Sequence, residues 1–471
     1  MEIDLYTIFY YFTFTVCLLF IISGIDDLFY DVTYWTSVLY AKIKGKKSLT
    51  IKHLDYKKML TMPEEPIAIL IPCWHEEQVI AKMVANTIKK LNYKNYDLFV
   101  GVYPNDPKTY EALAPFLDEV PNLHVVMNKM EGPTTKGQNL NSMVEGILAY
   151  EKERGKKYAF FVMSDAEDVI SELELKLFNY LDEDYDMIQI PVLPLKKPWY
   201  NFTYWTYADE FSELHMKDLV VRNLIHGFVP SAGTGTALSR HCISQMLAGP
   251  EHAVFDEKVF TEDYDLALHT NILNMRVVFV QEYERDPHQE RAWIKSKEII
   301  PWISVKEYFP DNYKQAVTQK ARWIFGIVFQ GWMKWRWKGS LITKFCLFHD
   351  RKAIYSHLVS FAGYIIIAVF LIAMIFQDGV LFELFTKSSL VFYMLCICFF
   401  IMLQRMLQRF IAVTTCYNAV QGFLSIPRLF YSNLINVHAF IKAFKYFWAY
   451  RKKKKVVWEK TEHHYPDTDK D

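Results

Sequence analysis

Four things are scarce in this sequence, and each scarcity excludes something. Cysteine is the first. Seven residues, Cys17, Cys73, Cys242, Cys346, Cys396, Cys398 and Cys416, are scattered over 471 positions. Their number is odd, several lie in apolar runs and none has zinc spacing. This argues against a disulfide framework or a zinc site and fits a reducing compartment. Net charge is the second: 53 basic against 53 acidic residues give a formal charge of zero. Nucleic acid as a partner would call for a strongly basic face. Repetition is the third, since no internal repeat or low-complexity tract occurs. A basic start is the fourth. Glu2 and Asp4 stand where a secretory signal peptide needs positive charge, so the apolar stretch behind them reads as an anchor that stays.

Charge is also absent from three long runs, and these decide the class of the protein. Residues 5–25 carry none, enough to cross a hydrocarbon core of about 30 Å. Asp26, Asp27 and Asp31 follow, then Lys42, Lys44, Lys46 and Lys47, which place that side in the cytoplasm. Residues 353–376 form a second run, preceded by Arg351 and Lys352. Residues 388–404 form a third, followed by Arg405 and Arg409. With the short connection 377–387 the last two predict a hairpin whose basic ends both face the cytoplasm. Beyond it, 405–471 mixes apolar, aromatic and basic residues and reads as interface helices. Its tail, residues 451–455 (RKKKK), suits an anionic leaflet or is a solvated charge run.

Between these ends, strand and helix signals alternate. Residues 67–71, 97–103, 124–127 and 159–163 read as strands, and 187–191 as one more. Helical spacing separates the first four, at 75–91, after Pro107, and at 137–150. That alternation predicts an α/β fold, a mostly parallel sheet with helices on both faces. Residues 304–339, with four tryptophans near lysines and arginines, read as a helix in the membrane interface or as an amphipathic core helix. The expected organisation is an anchor at 1–47, a cytoplasmic domain at 63–300, interface helices at 304–345, a transmembrane hairpin at 353–404, and interface helices with the tail at 405–471.

The chemistry centres on YAFFVMSDAED, residues 158–168. An apolar run there meets three carboxylates, Asp165, Glu167 and Asp168. Carboxylates at the carboxyl end of a buried strand sit where open α/β sheets bind ligands. Three like charges this close need a cation, arginines or protonation. Hard oxygen donors suit Mg2+ or Mn2+, and the competing reading is a solvated loop that caps the next helix. Four further stretches fit one reaction. In IPCWHEE, Pro72 ends a strand and Glu76 stands at its mouth. In KGQNLN, Lys136 opens a helix whose free N–H groups can hold a diphosphate. In TED, Glu262 and Asp263 offer a general base. In QKARW, Arg322 offers a planar fork for a diphosphate and Trp323 a flat face for a sugar ring.

In this order the motifs resemble those of the membrane-embedded family 2 glycosyltransferases, the group that includes the cellulose and hyaluronan synthases. The resemblance rests on DAED, TED and QKARW between membrane helices. It implies a GT-A, Rossmann-like domain and a hexosyltransferase that moves sugar from a nucleotide sugar, a UDP-sugar, with inversion. It implies nucleotide-sugar contacts from Pro72, Glu76, Asp106, Lys136 and Asp165, and a metal held by Asp165, Glu167 and Asp168. Asp263, Glu262 and Arg322 would be catalytic. Gly233, Thr234, Gly235, Gln319 and Trp323 would meet the acceptor, a growing glycan or, alternatively, a lipid phosphate carrier. A catalytically inactive membrane scaffold is the competing reading from outside enzymes. Two positions depart from the family: Glu167 replaces the second aspartate of DxD, and Asn105 precedes Asp106. VGVYPNDP, SDAED and VPSAGTGTALSR narrow the likeness to a branch of the bacterial inner membrane. Its members often carry a further C-terminal regulatory domain; none is expected here, nor regulation through it. An outer-membrane or export partner is a further expectation.

Overall fold

Alternation inside the apolar runs decides what forms the centre of the molecule. Ile67, Ile69 and Ile71 pack into one apolar core, while Ala68 and Leu70 between them pack into another. A strand buried on both faces belongs inside a sheet covered by helices on each side. In the computed structural model, residues 5–52, 54–286, 299–376, 389–452 and 464–466 are described. Among them the strands are β1 (Ile67–Pro72), β2 (Tyr96–Val102), β3 (Leu123–Met127), β4 (Phe160–Met163), β5 (Met187–Gln189), β6 (Val192–Pro194), β7 (Thr236–Ser239), β8 (Val277–Phe279) and β9 (Val305–Glu307). Seven of them build one sheet in the order β3-β2-β1-β4-β7-β5-β8.

The sheet is mostly parallel, as the alternation predicted. The exception is β7, which runs antiparallel to β4 and β5. Strand order reverses between β1 and β4, which pair in parallel. From β1 the chain moves outward to β2 and β3, and from β4 it moves to the other side. The two connections therefore diverge at the carboxyl ends of β1 and β4 and leave a crevice there. Because β7 is reversed, Thr236 pairs with Met163. The PSAGTG loop ahead of β7 thus enters the same crevice. β6 and β9 form a separate parallel pair.

Three helices are long and apolar enough to cross a membrane: Tyr6–Lys44, Ala353–Phe376 and Leu390–Cys416. This is a membrane protein. Two of these helices outrun the expected crossings. The first continues past residue 25 to Lys44, so Asp26, Asp27 and Asp31 lie within it. The third continues past residue 404 to Cys416, with Arg405 and Arg409 inside. The charges that were expected to flank the crossings instead pair across helices. Lys352 Nζ lies 2.5 Å from Asp27 Oδ1, Arg409 Nε lies 2.8 Å from Glu213 Oε2, and Lys217 pairs with Asp31. A buried charge is tolerated when a partner of opposite sign is held against it. Residues 419–451, expected as interface helices, form one helix, Ala419–Arg451. It is tied to the Phe202–Glu213 helix by a fully buried bidentate pair, Arg428 to Asp209, at 2.7 and 2.8 Å. Residues 304–339 begin with β9 and turn helical only at Tyr313. The connection 377–387, Glu2, Asp4 and tail residues 453–455 lie outside the described residues.

Glu174 opens the Glu174–Tyr180 helix with its side chain fully buried. Burial, opposed only by the Ser171 backbone, pushes its carboxyl up to about 8. A folded-state value above the unfolded one favours the neutral form. Its favourable contribution is therefore present below the ordinary carboxylate range and is lost as pH rises toward 8. At about 1.4 kcal/mol per unit, the cost is on the order of 3 kcal/mol at neutral pH. Glu174→Gln is therefore expected to raise the unfolding temperature at pH 7–8 and to change it little near pH 5, as read by fluorescence-monitored melting.

Candidate active site

The crevice at the β1–β4 switch is a cavity of about 260 Å³. Pro72 and Glu76 reach it from the end of β1, Asp165 and Glu167 from the end of β4, and Glu262 and Asp263 from the Glu262–Ile272 helix. Lys136 enters from the first turn of the Lys136–Arg154 helix, whose start is fixed by Thr135 accepting from the Gln138 N–H. Gln319, Arg322 and Trp323 enter from the Tyr313–Ile324 helix, capped by Asn312 in the same way. Ten of the site residues expected from sequence thus line one cleft, although they come from five separate stretches.

Lys136 is the hub. Its Nζ lies 2.5 Å from Asp165 Oδ1 and donates to the Gly233 carbonyl at 3.3 Å. Gly233 has φ +79°, and a Cβ there would stand 2.8 Å from Asp263 Oδ2 and 3.4 Å from Lys136 Nζ. Glycine is required on both counts, conformation and space. It lets the PSAGTG backbone close over the ion pair and brings Asp263 into the same few ångströms. Gly137 next door leaves room for Glu262, whose Cβ is 3.4 Å from where its own would be.

Electrostatics follow from this crowding. Burial disfavours charge on Lys136, yet Asp165, Glu262 and Asp263 outweigh it and hold its ammonium above the usual range. Burial, with Asp263 beside it, pushes Glu262 up to about 8, and Lys136 pulls the other way. Asp263 is likewise raised by burial, opposed by Lys136.

Five expected residues lie behind the lining. Asp168 is fully buried, and its carboxylate accepts from the Asp165 N–H at 2.6 Å and from the Thr234 hydroxyl. It fixes the DAED turn from beneath and ties that turn to the PSAGTG loop. Asp106, 1% exposed, accepts from the His75 N–H and the Thr109 hydroxyl, both at 2.7 Å, and holds the turn that carries Glu76. Gly233, Thr234 and Gly235 support the floor through their backbone; the Gly235 N–H donates to the Met163 carbonyl at 3.1 Å.

The sequence reading missed Glu307. It ends the three-residue β9 and lines the cleft facing the DAED turn. Two backbone bonds between Val169 and Lys306, at 2.8 and 3.1 Å, staple β9 to that turn. Burial raises its carboxyl well above the ordinary range, and Asp168, Glu167 and Asp165 add to the shift. Burial, then Asp165 and Glu167, do the same to Asp168. Gln330 was missed too: its side chain accepts from the Phe260 N–H at 2.9 Å and donates to the Lys258 carbonyl at 3.1 Å, pinning the approach to TED.

The donor set fits a hard dication. Asp165, Glu167 and Glu307 present carboxylate oxygens to one cleft, the hard donors that such an ion takes. The groups whose ligand atoms lie within 4.8 Å of one another, among the described residues, are elsewhere. His75, Glu77 and Asp106 form one, and Asp26, Asp27 and His349 another. The second already pairs with Lys352.

Residues 160–376 match the family described as glycosyl transferase family group 2. More particularly, the chain is 39% identical over 462 residues to bacteriophage adsorption protein B of Escherichia coli (strain K12), covering 96% of this chain and 62% of that protein. Bacteriophage N4 adsorption protein B of Escherichia coli O157:H7 matches to the same extent. The chain therefore spans 62% of the length of these curated relatives. Among solved structures, the mannosyltransferase PcManGT from Pyrobaculum calidifontis, in complex with GDP-Man and Mn2+, has a TM-score of 0.47 at 13% identity, covering 92% of this chain and 98% of that one.

Proposed function

We propose that this protein is an inverting membrane glycosyltransferase that moves a sugar from a nucleotide sugar, a UDP-sugar, to a hydroxyl of a growing glycan. One observation carries the reading: Lys136, Asp165 and Asp263, far apart in sequence, meet around the Gly233 backbone in one cleft. Pro72, Glu76 and Asp165 would receive the nucleoside. Lys136 and Arg322 would hold the diphosphate, an ammonium and a guanidinium fork against the leaving oxygens. Asp165 and Glu167, with Glu307 facing them, would hold Mg2+ or Mn2+, whose charge helps neutralise the departing diphosphate. Asp168 and Asp106 serve from behind, by fixing the two turns.

In the transfer, the acceptor oxygen bonds to the anomeric carbon as the bond from that carbon to the diphosphate breaks. The acceptor's proton passes to Asp263, with Glu262 beside it, on the face opposite the leaving group. Trp323 and Gln319 would seat the acceptor. The catalytic body, residues 63–300, would stand in the cytoplasm on the inner membrane, with 304–345 at the interface and the membrane helices around it. The relatives are named for bacteriophage adsorption, which suits a product that reaches the cell surface through an export partner.

Purified full-length protein with Mn2+, offered a panel of nucleotide sugars, is expected to release nucleoside diphosphate from one of them and to stop when EDTA is added. No release from any donor in the presence of either Mg2+ or Mn2+ would overturn the reading.

A further inference from the structure

A second and larger cavity, about 940 Å³, lies among the membrane helices. It is bounded by the first helix, Ala353–Phe376, Leu390–Cys416 and Ala419–Arg451. Its volume is at the upper end of the range of about 300–1,000 Å³ typical of small-molecule sites. Trp323 lines both this cavity and the catalytic cleft, so the two spaces meet at one indole.

The lining changes character along its length. Phe20, Ile366, Phe370, Leu395, Phe399 and Ile401 give most of it a hydrocarbon wall. Glu210, Glu213, Asp27 and Asp218 also line it, with Lys320, Lys352, Arg405 and Arg409, four carboxylates against four cations. Lys320 Nζ bonds both Glu210 oxygens at 2.7 and 2.8 Å, and Arg405 and Arg409 reach Glu213 at 2.7 and 2.8 Å. A polar end whose charges cancel suits a neutral, hydrogen-bonding head better than an anion. The apolar length suits a hydrocarbon chain. Ser23, Ser356, Ser360, Tyr364 and Asn433 interrupt that wall, but most of it is hydrocarbon, so a glycan laid along it would lose much of the hydrogen bonding that water gave it.

We infer that this cavity is the acceptor's tail site. It takes the hydrocarbon chain of a lipid-borne sugar or glycan, whose neutral head passes Trp323 so that its hydroxyl reaches Asp263. The inference rests on the transferase reading above and names the class of acceptor for it.

Gly363 lines the cavity, and a Cβ there meets nothing within 4 Å. Gly363→Phe therefore fills the cavity without touching the cleft, and Ser360→Phe, at another lining position, does the same. The probes are methyl, octyl and dodecyl glycosides of a panel of acceptor sugars, offered to full-length protein in nanodiscs with the donor it turns over. Each methylene that enters the wall favours binding about fourfold. Acceptor KM is expected to fall at least about tenfold from methyl to dodecyl. Both variants should lose that gain while hydrolysis of the donor by water stays within about twofold of the parent. Simple partitioning into the nanodisc would give the parent and the variants the same gain. A KM independent of chain length, or a gain kept by both variants, overturns the inference and leaves the transferase reading standing. If no donor is turned over, that reading fails instead. Native mass spectrometry of retained dodecyl maltoside then tests the cavity by itself: binding to the parent and not to Gly363→Phe supports it, and equal binding to both overturns it.

Discussion

Asp263→Asn is expected to lower turnover by about 10²–10⁴-fold, the usual contribution of a positioned general base. The amide keeps the shape and cannot take a proton, so the donor should bind as before. Equilibrium binding of the nucleotide sugar and kcat measured on the same preparation check both halves, and retained turnover would remove Asp263 from the mechanism. The pH profile carries a second check. Burial raises the Asp263 carboxyl above its ordinary value, and a base works only when ionised. Activity should therefore fall as pH drops through a point above the ordinary carboxylate range. Lys136 opposes the shift, so Lys136→Met should move that acidic limb further up in pH. Loss of the Lys136 ammonium also weakens the diphosphate site, so the position of the limb, and not the rate, is the readout.

Arg322→Lys is the second large effect. The cleft receives Arg322 beside Gln319 and Trp323 on one helix. A guanidinium fork can hold two diphosphate oxygens at once, and an ammonium cannot reproduce that geometry. Losing one preorganised donor to developing negative charge costs about 10²–10³-fold in kcat. We expect kcat/KM to fall by about that factor and product inhibition by the nucleoside diphosphate to weaken in parallel. Lys314→Met, an exposed change on the same helix, should leave both unchanged. If Arg322→Lys keeps its affinity for the nucleoside diphosphate, the guanidinium is not a diphosphate ligand.

The first and fourth strands of the reading were legible because their apolar residues run unbroken, the pattern of a sheet covered on both faces. Lys136, Asp165, Asp263 and Arg322 were legible because each stands at the end of an element or within a short motif. Glu307 was not. Its strand is three residues long, with no period to detect, and it exists only because β6 pairs with it and Val169 bonds to Lys306. The true lengths of the first and third membrane helices were hidden for a related reason. Asp26, Asp27, Arg405 and Arg409 look like the flanks of crossings until their partners on other helices are known.

Local pattern, then, determined which segments are strands, which helices are apolar enough to enter a bilayer, and which side chains carry the chemistry. These depend on neighbours a few residues away. Tertiary structure alone decided that β7 runs backward and brings Gly233 over Lys136. It also put Asp168 and Asp106 beneath the cleft and gave Trp323 to two cavities at once. Those outcomes depend on contacts between residues far apart in the chain, and no local pattern encodes which distant carboxylate will face which amine.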